Sequence, residues 1–192
     1  MDFDDGLPPG QKEREGLRVK HYGPVPKADA ATWVLTFGCS DAEGGWSRIA
    51  LSELSGLPRT RVVADLHCAS GWSARDNAWE GVPASSVVDL FPPPAGTVGV
   101  MVFAEYGYSA NVRLEDLLQP RSLLATHLDD APLTPEHGYP VRLVIPHLYS
   151  WKGPKWFRGW EYLRAPRRGF WEERGYHILG DVWLEQRYSY EE

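Results

Sequence analysis

The sequence predicts a mostly β, α+β fold with mixed sheets and short helices, and three observations predict it. Short runs rich in β-branched and aromatic residues recur at residues 33–37, 61–66, 98–103 and 141–145, each bounded by Gly, Pro or Asp as strands usually are. Helical stretches are fewer and short, at residues 51–54, 85–91 and 114–118. The two kinds of element do not alternate regularly, which argues against a parallel sheet built from βαβ units.

Taken in order, residues 1–16 read MDFDDGLPPGQKEREG, a polar and acidic stretch expected to form a flexible N-terminal tail. It has no apolar segment of the kind a secretory signal needs. No later run approaches the length of a membrane span, so the cytoplasm is the expected address. Residues 17–192 carry no internal repeat or linker, and Pro and Gly recur evenly as turn punctuation, so one domain is expected there. The second helical stretch opens on serine, whose hydroxyl would take an orphan backbone N–H.

Composition narrows the function classes. Hydrophobic residues make up 43% and charged residues 24% of the 192, as in ordinary globular chains. Nine Trp and nine Tyr stand out; such rings either build a core from few large pieces or wall a deep pocket. Lys plus Arg is 20 against 26 Asp plus Glu, a net charge of −6. That excludes the basic field on which nucleic-acid and anionic-membrane binding depends, while leaving room for a local phosphate pocket in the more basic stretch 142–174. The two cysteines, Cys39 and Cys68, form neither a disulfide framework nor the paired spacing of a structural zinc site.

Four segments carry candidate chemistry. In RVVADLHCASGW, residues 61–72, a strand delivers His67 and Cys68 into a Ser-Gly turn. On its residues alone, Cys68 reads either as the buried end of a strand or as a nucleophile or metal ligand that Gly71 lets a partner approach. Strand neighbours point to opposite faces, so His67 and Cys68 do not share one metal or form a nucleophile–base pair; His67 reads as a supporting or packing residue. In EHGYPVRLVIP, residues 136–146, a turn with His137 and Gly138 leads to Arg142, and a Gly-Pro turn then presents Lys155 beside Trp156. Arg142 and Lys155 together suit a phosphate, by forked donors and a point charge, or else mark a solvated basic edge. VFAEYGYS, residues 102–109, sets Tyr106 and Tyr108 at the end of an apolar strand, as structural phenols or as donors to an oxyanion. KHYGPVP, residues 20–26, holds His21 and Tyr22 on an extended path.

In this order the four segments resemble the molybdopterin-binding domain of the sulfite oxidase family, over roughly residues 18–190. KHYGPVP is similar to the family's "R-N-H-x-P-V-P" stretch, HCASGW to its cysteine segment and YGYS to "Y-G-x-S". EHGYPVRLVIP is similar to the "HGxPxR" strand, and GPKW to the following Lys-Trp turn. GFWEERGYH, residues 169–177, resembles the ending of small bacterial members. The resemblance implies a sulfite-oxidase-type molybdopterin-binding fold with a molybdenum–molybdopterin cofactor, Cys68 being the thiolate ligand of the metal. It implies that His137, Arg142 and Lys155, with the backbone of Gly153 and Pro154, hold the pterin and its phosphate. His21 and Tyr22 would contact it from the N-terminal side, and Tyr106 would stand near the metal's oxygen ligands. A soft thiolate suits a metal already held by soft sulfur.

The departures from the family are part of the expectation. Trp72 and Ser73 fill the region where sulfite oxidases carry a substrate-binding Arg, so sulfite itself is not implied. The resemblance covers only the cofactor domain, so electrons would be exchanged with a separate partner protein. The expected activity is a two-electron oxygen-atom transfer on a small S- or N-containing substrate; the competing reading is a cofactor-binding or carrier module without turnover.

Overall fold

The computed structural model describes residues 6–40 and 45–192. Among the described residues, eleven strands form two sheets. The first contains β1 (Lys12–Glu13), β4 (Thr60–Cys68), β5 (Trp72–Pro83), β8 (Leu123–Leu128), β9 (Ala131–Pro132) and β10 (Arg142–Val144). The second runs in the order β3 (Trp46–Ala50), β2 (Val34–Gly38), β11 (Phe157–Leu163), β6 (Gly99–Ala104), β7 (Ser109–Val112). Most pairs are antiparallel, while β1 with β5 and β2 with β11 are parallel, so the sheets are mixed as expected. Among the described residues, three short α-helices, α1 (Leu51–Leu54), α2 (Ala84–Leu90) and α3 (Leu114–Leu117), sit at strand ends.

The sheets share a core. Leu35, Phe37, Val100, Val102, Trp160 and Tyr162 of the second sheet pack in one buried cluster with Val82, Leu124 and Leu143 of the first. Cys39 is 3% exposed within that cluster and is a core side chain. A second cluster, including Val62, Ala64, Leu66 and Trp79, collects side chains of β4, β5 and β8. The first reading of the aromatic content therefore holds for Trp79 and Trp160, which are fully buried.

Two expectations about local structure change. The serine cap of α2 does not form: Pro83 occupies the cap position, and the Ala84 N–H is taken by the Ser122 carbonyl at 2.9 Å. A neighbouring strand end satisfies the orphan donor, so no side chain is needed. The expected flexible stretch through residue 16 is docked over part of its length. The Lys12 and Arg14 N–H groups donate to the Gly71 and Ser73 carbonyls at 3.1 and 2.8 Å, and Gln11 is 9% exposed. Residues 1–5 of that stretch lie outside the described residues.

Candidate cofactor site

The antiparallel hairpin of β4 and β5 places Cys68. Cys68 ends β4, pairs with Trp72 across the turn, and accepts at its carbonyl the Gly71 N–H at 3.0 Å. Gly71 has φ +83°, a conformation in which a side chain would be strained, so the tight return to Trp72 depends on glycine. The Gln11 side-chain amide also donates to the Cys68 carbonyl, at 3.3 Å. His67 behaves as its neighbouring position predicts. It is 4% exposed, bonds Ser73 Oγ at 2.7 Å through Nδ1, and burial lowers its pKa. Ser73 is fully buried and also donates to Gln11, so it supports the hairpin from behind and presents nothing to a substrate.

Arg142 and Lys155 come from β10 and the turn after it. Gly153 lies so close to β10 that an added Cβ would stand 2.5 Å from the Leu143 carbonyl oxygen. The Leu143 N–H bonds the Pro154 carbonyl at 3.1 Å, which pins the turn against the strand. Gly138, at φ +111°, fits between the two cations; a Cβ there would meet the Cβ atoms of Arg142 and Lys155 at 3.1 Å each. Arg142 is 2% exposed and has no carboxylate partner among the described residues. Its guanidinium makes long bonds to the His137 and Gly153 carbonyls, 3.3 and 3.5 Å, and stacks on Trp79 at 5.1 Å. Burial pushes its pKa down to about 10. Burial and the nearby Arg142 push Lys155 down to about 7, although its ammonium donates to the Glu136 carbonyl at 2.7 Å. Two poorly compensated cations side by side are costly unless an anion joins them.

Cys68, Arg142, Gly153, Pro154 and Lys155 line one cavity of about 600 Å³, together with His21 and Tyr22. Leu17, Arg18, Val19 and Lys20 continue its wall on the N-terminal arm. Trp72, Trp151, Trp156 and Trp171 are also in the wall, so the second reading of the aromatic content holds here. The His21 ring meets Trp156 edge-on at 5.4 Å, and Tyr22 packs on Phe170 at 4.5 Å.

The structure separates two expected site residues from this wall. His137 stands behind Arg142, holding it through a backbone carbonyl, while its own Nδ1 is buried without a partner. Burial, with the Lys155 and Arg142 charges, lowers its pKa. Tyr106 is 48% exposed and lies over Gly23. The cause is local: the 3-10 turn Glu105–Gly107 holds Tyr106 at φ 58°, which turns it outward, and Tyr108 enters the wall instead. The Tyr108 hydroxyl donates to the Trp151 carbonyl at 2.6 Å, and burial together with Glu172 raises its pKa well above the usual phenol value. The YGYS resemblance points to Tyr106 and gives Tyr108 no role, whereas Tyr108 is the one of the two in the cavity wall. Tyr176, at the end of GFWEERGYH, also lines the cavity and had no assigned role.

Residues 22–171 match the oxidoreductase molybdopterin binding domain family. The chain belongs to this family. It is 38% identical over 187 residues to the uncharacterized oxidoreductase YuiH of Bacillus subtilis (strain 168), covering 96% of this chain and 93% of YuiH. It is 28% identical over 170 residues to the putative protein-methionine-sulfoxide reductase subunit YedZ1 of Azospira oryzae, covering 83% of this chain but 61% of that relative. The sulfane dehydrogenase SoxCD from Paracoccus pantotrophus has the same fold, with a TM-score of 0.68 at 18% identity over 76% of this chain and 42% of the other. The family is a sulfite-oxidase-like group of oxidoreductases, and its cofactor is molybdenum–molybdopterin.

The residues present fit that cofactor. Arg18, Lys20, Arg142 and Lys155 face one cavity, and the acid among its described lining residues, Glu105, is paired with Arg158. Among the described residues, buried nitrogens without partners include Trp72 Nε1, Arg142 Nε and Trp151 Nε1, all on wall residues. A phosphate-bearing pterin would supply the anion that Arg142 and Lys155 lack, and the Cys68 sulfur in the same wall would offer a soft ligand. No helix among the described residues is long and apolar enough to cross a membrane.

Proposed function

We propose that this protein catalyses a two-electron oxygen-atom transfer on a small S- or N-containing substrate, exchanging electrons with a separate partner protein. The observation that carries the reading is the meeting of Cys68 with Arg142 and Lys155, cations without a carboxylate, in one aromatic-walled cavity. Molybdenum held by Cys68 would supply the redox chemistry. Arg142, Lys155 and the backbone of Gly153 and Pro154 would hold the phosphate, with His21 and Tyr22 along the pterin. His137 would act indirectly, fixing Arg142. Tyr108, not Tyr106, would be the phenol beside the reacting centre. Its proton is committed to the Trp151 carbonyl and its raised pKa keeps it neutral, so it shapes and dries the wall. Partner dependence is supported by the Azospira relative, which is itself described as a subunit.

Metal and pterin analysis of protein from a host that makes the cofactor tests this. The expected result is about one molybdenum per chain, with Cys68→Ser retaining pterin but losing more than about 99% of dye-driven turnover, as loss of a reacting-centre ligand usually does. Protein without molybdenum defeats the reading. Molybdenum with no turnover on a panel of S- and N-oxides, or on sulfite with a dye acceptor, leaves a carrier in place of an enzyme.

A further inference from the structure

Lys20 reaches the Cys68 sulfur through one side chain. Its ammonium donates to Ser70 Oγ at 2.9 Å, and Ser70 Oγ lies 3.2 Å from Cys68 Sγ. Lys20, Ser70 and Cys68 all line the cavity described above. No carboxylate among the described residues forms a salt bridge with Lys20, whose ammonium donates instead to Ser70. The turn that carries Ser70 is held from three sides. The Gly71 N–H bonds the Cys68 carbonyl, the Gly71 carbonyl accepts the Lys12 N–H, and Gln11 bonds the Cys68 carbonyl.

The direction of the second bond follows from donor counting. A lysine ammonium has donors only, so it occupies a lone pair of Ser70 Oγ and leaves the hydroxyl proton to point elsewhere. A metal-bound thiolate has no proton to give, so the Ser70 hydroxyl is the donor and the sulfur the acceptor. Lys20 then polarises Ser70, and Ser70 withdraws electron density from the sulfur.

We propose that Lys20 and Ser70 are a positioning pair that tunes the metal through its thiolate ligand. This rests on Cys68 being that ligand, as proposed above. Hydrogen bonds to a ligating sulfur favour the more reduced, electron-rich metal and raise its reduction potential. The arm from Leu17 to Tyr22 thus joins a surface-facing ammonium to the electronics of the centre. The role differs from substrate binding because Lys20 acts on the sulfur and not on the substrate.

The test is a redox titration of the loaded protein, read as the paramagnetic molybdenum signal, in Lys20→Met, Lys20→Arg, Ser70→Ala, Ser70→Thr and the Lys20→Met/Ser70→Ala double variant. Lys20→Met and Ser70→Ala are expected to lower the potential, with Lys20→Arg and Ser70→Thr staying near wild type. The double variant is expected to match Ser70→Ala alone, since Lys20 acts only through Ser70. Equal molybdenum content across the set shows that the variants fold and load. An unmoved potential in Lys20→Met overturns the proposal, and so does a raised KM with unchanged potential, which would make Lys20 a substrate-binding residue. Wild-type protein without molybdenum takes down the proposed function along with it; loaded protein with an unmoved potential takes down the pair alone.

Discussion

Lys155 carries a pH dependence whose sign follows from its surroundings. Burial and the Arg142 charge hold it at about 7, against an ordinary value of 10.5. Between those values the unfolded chain binds more protons than the folded one, so the stability of the cofactor-free protein rises with pH through that window. An anion on Lys155 acts the other way. It favours the charged amine, so binding takes up a proton and weakens above about pH 7, by as much as about tenfold per pH unit. Sulfate, which does not titrate in this range, is the clean probe. Thermal unfolding with and without sulfate across the window should show both trends, and Lys155→Met should flatten them. A sulfate shift that is independent of pH in the wild type would contradict this assignment. The depressed pKa is not written in GPKW; it comes from burial in the folded wall and from Arg142, which only the fold brings beside Lys155.

Individual elements show where pattern reading succeeds and where it stops. β2, β4, β6 and β10 are continuous apolar or alternating runs and fall where the sequence predicts them. The long strand β5 escapes because its period breaks. The register with β4 shifts between Ala64 and Leu66, and Asp76 at φ 54° forms the irregularity that puts Arg75, Asp76 and Asn77 mid-strand. β11 is hidden in the same way by Gly159, at φ +140°, where any Cβ would stand 1.7 Å from the Thr36 carbonyl oxygen of β2. Helix α3 has its own dependence on one side chain. Asp116, 1% exposed, accepts the Arg113 N–H at 2.9 Å, the Arg113 guanidinium at 2.7 Å and His147 Nε2 at 2.9 Å. Burial alone would raise its pKa, but the bonds from His147 and Arg113 outweigh burial and bring it to about 2. That stability is present above the unfolded value near 3.8 and is lost as pH falls toward about 2. Asp116→Ala is expected to cost about 2–3 kcal/mol, on the order of 4–12 °C in Tm for a chain of this size. A calorimetric shift under about 1 °C would show that the cap contributes nothing.

At the scale of the whole molecule, the cavity is closed by chain that the family match does not include. The match ends at residue 171, whereas Tyr176 is in the wall, packed on Trp151 at 4.9 Å and on Trp171 at 5.2 Å. That most of the expected residues would share one cavity was legible, because family motifs mark the strands and turns that carry them. The closure was not, because it depends on a lysine and a glutamate that look like surface residues in sequence. Lys152 and Glu172 are both fully buried and paired at 2.6 Å. Lys152 also donates to the Asn111 and Ile178 carbonyls, and Glu172 accepts the Asn111 N–H at 2.9 Å. The pair thus ties β7 and the turn Ser150–Lys152 to the C-terminal segment that brings Trp171 and Tyr176 to the cavity. Glu172→Ala leaves a buried ammonium without its partner and is expected to cost about 3–5 kcal/mol. Lys152→Met/Glu172→Gln removes both charges and keeps an acceptor for Asn111, so it should recover part of that loss. Differential scanning calorimetry reads the stability, and cofactor release on heating reads the closure. Glu172→Ala is expected to release pterin at a lower temperature than wild type by a larger margin than Asp116→Ala does, because only the former loosens the wall. Equal margins would mean that the C-terminal segment stabilises the fold without closing the cavity.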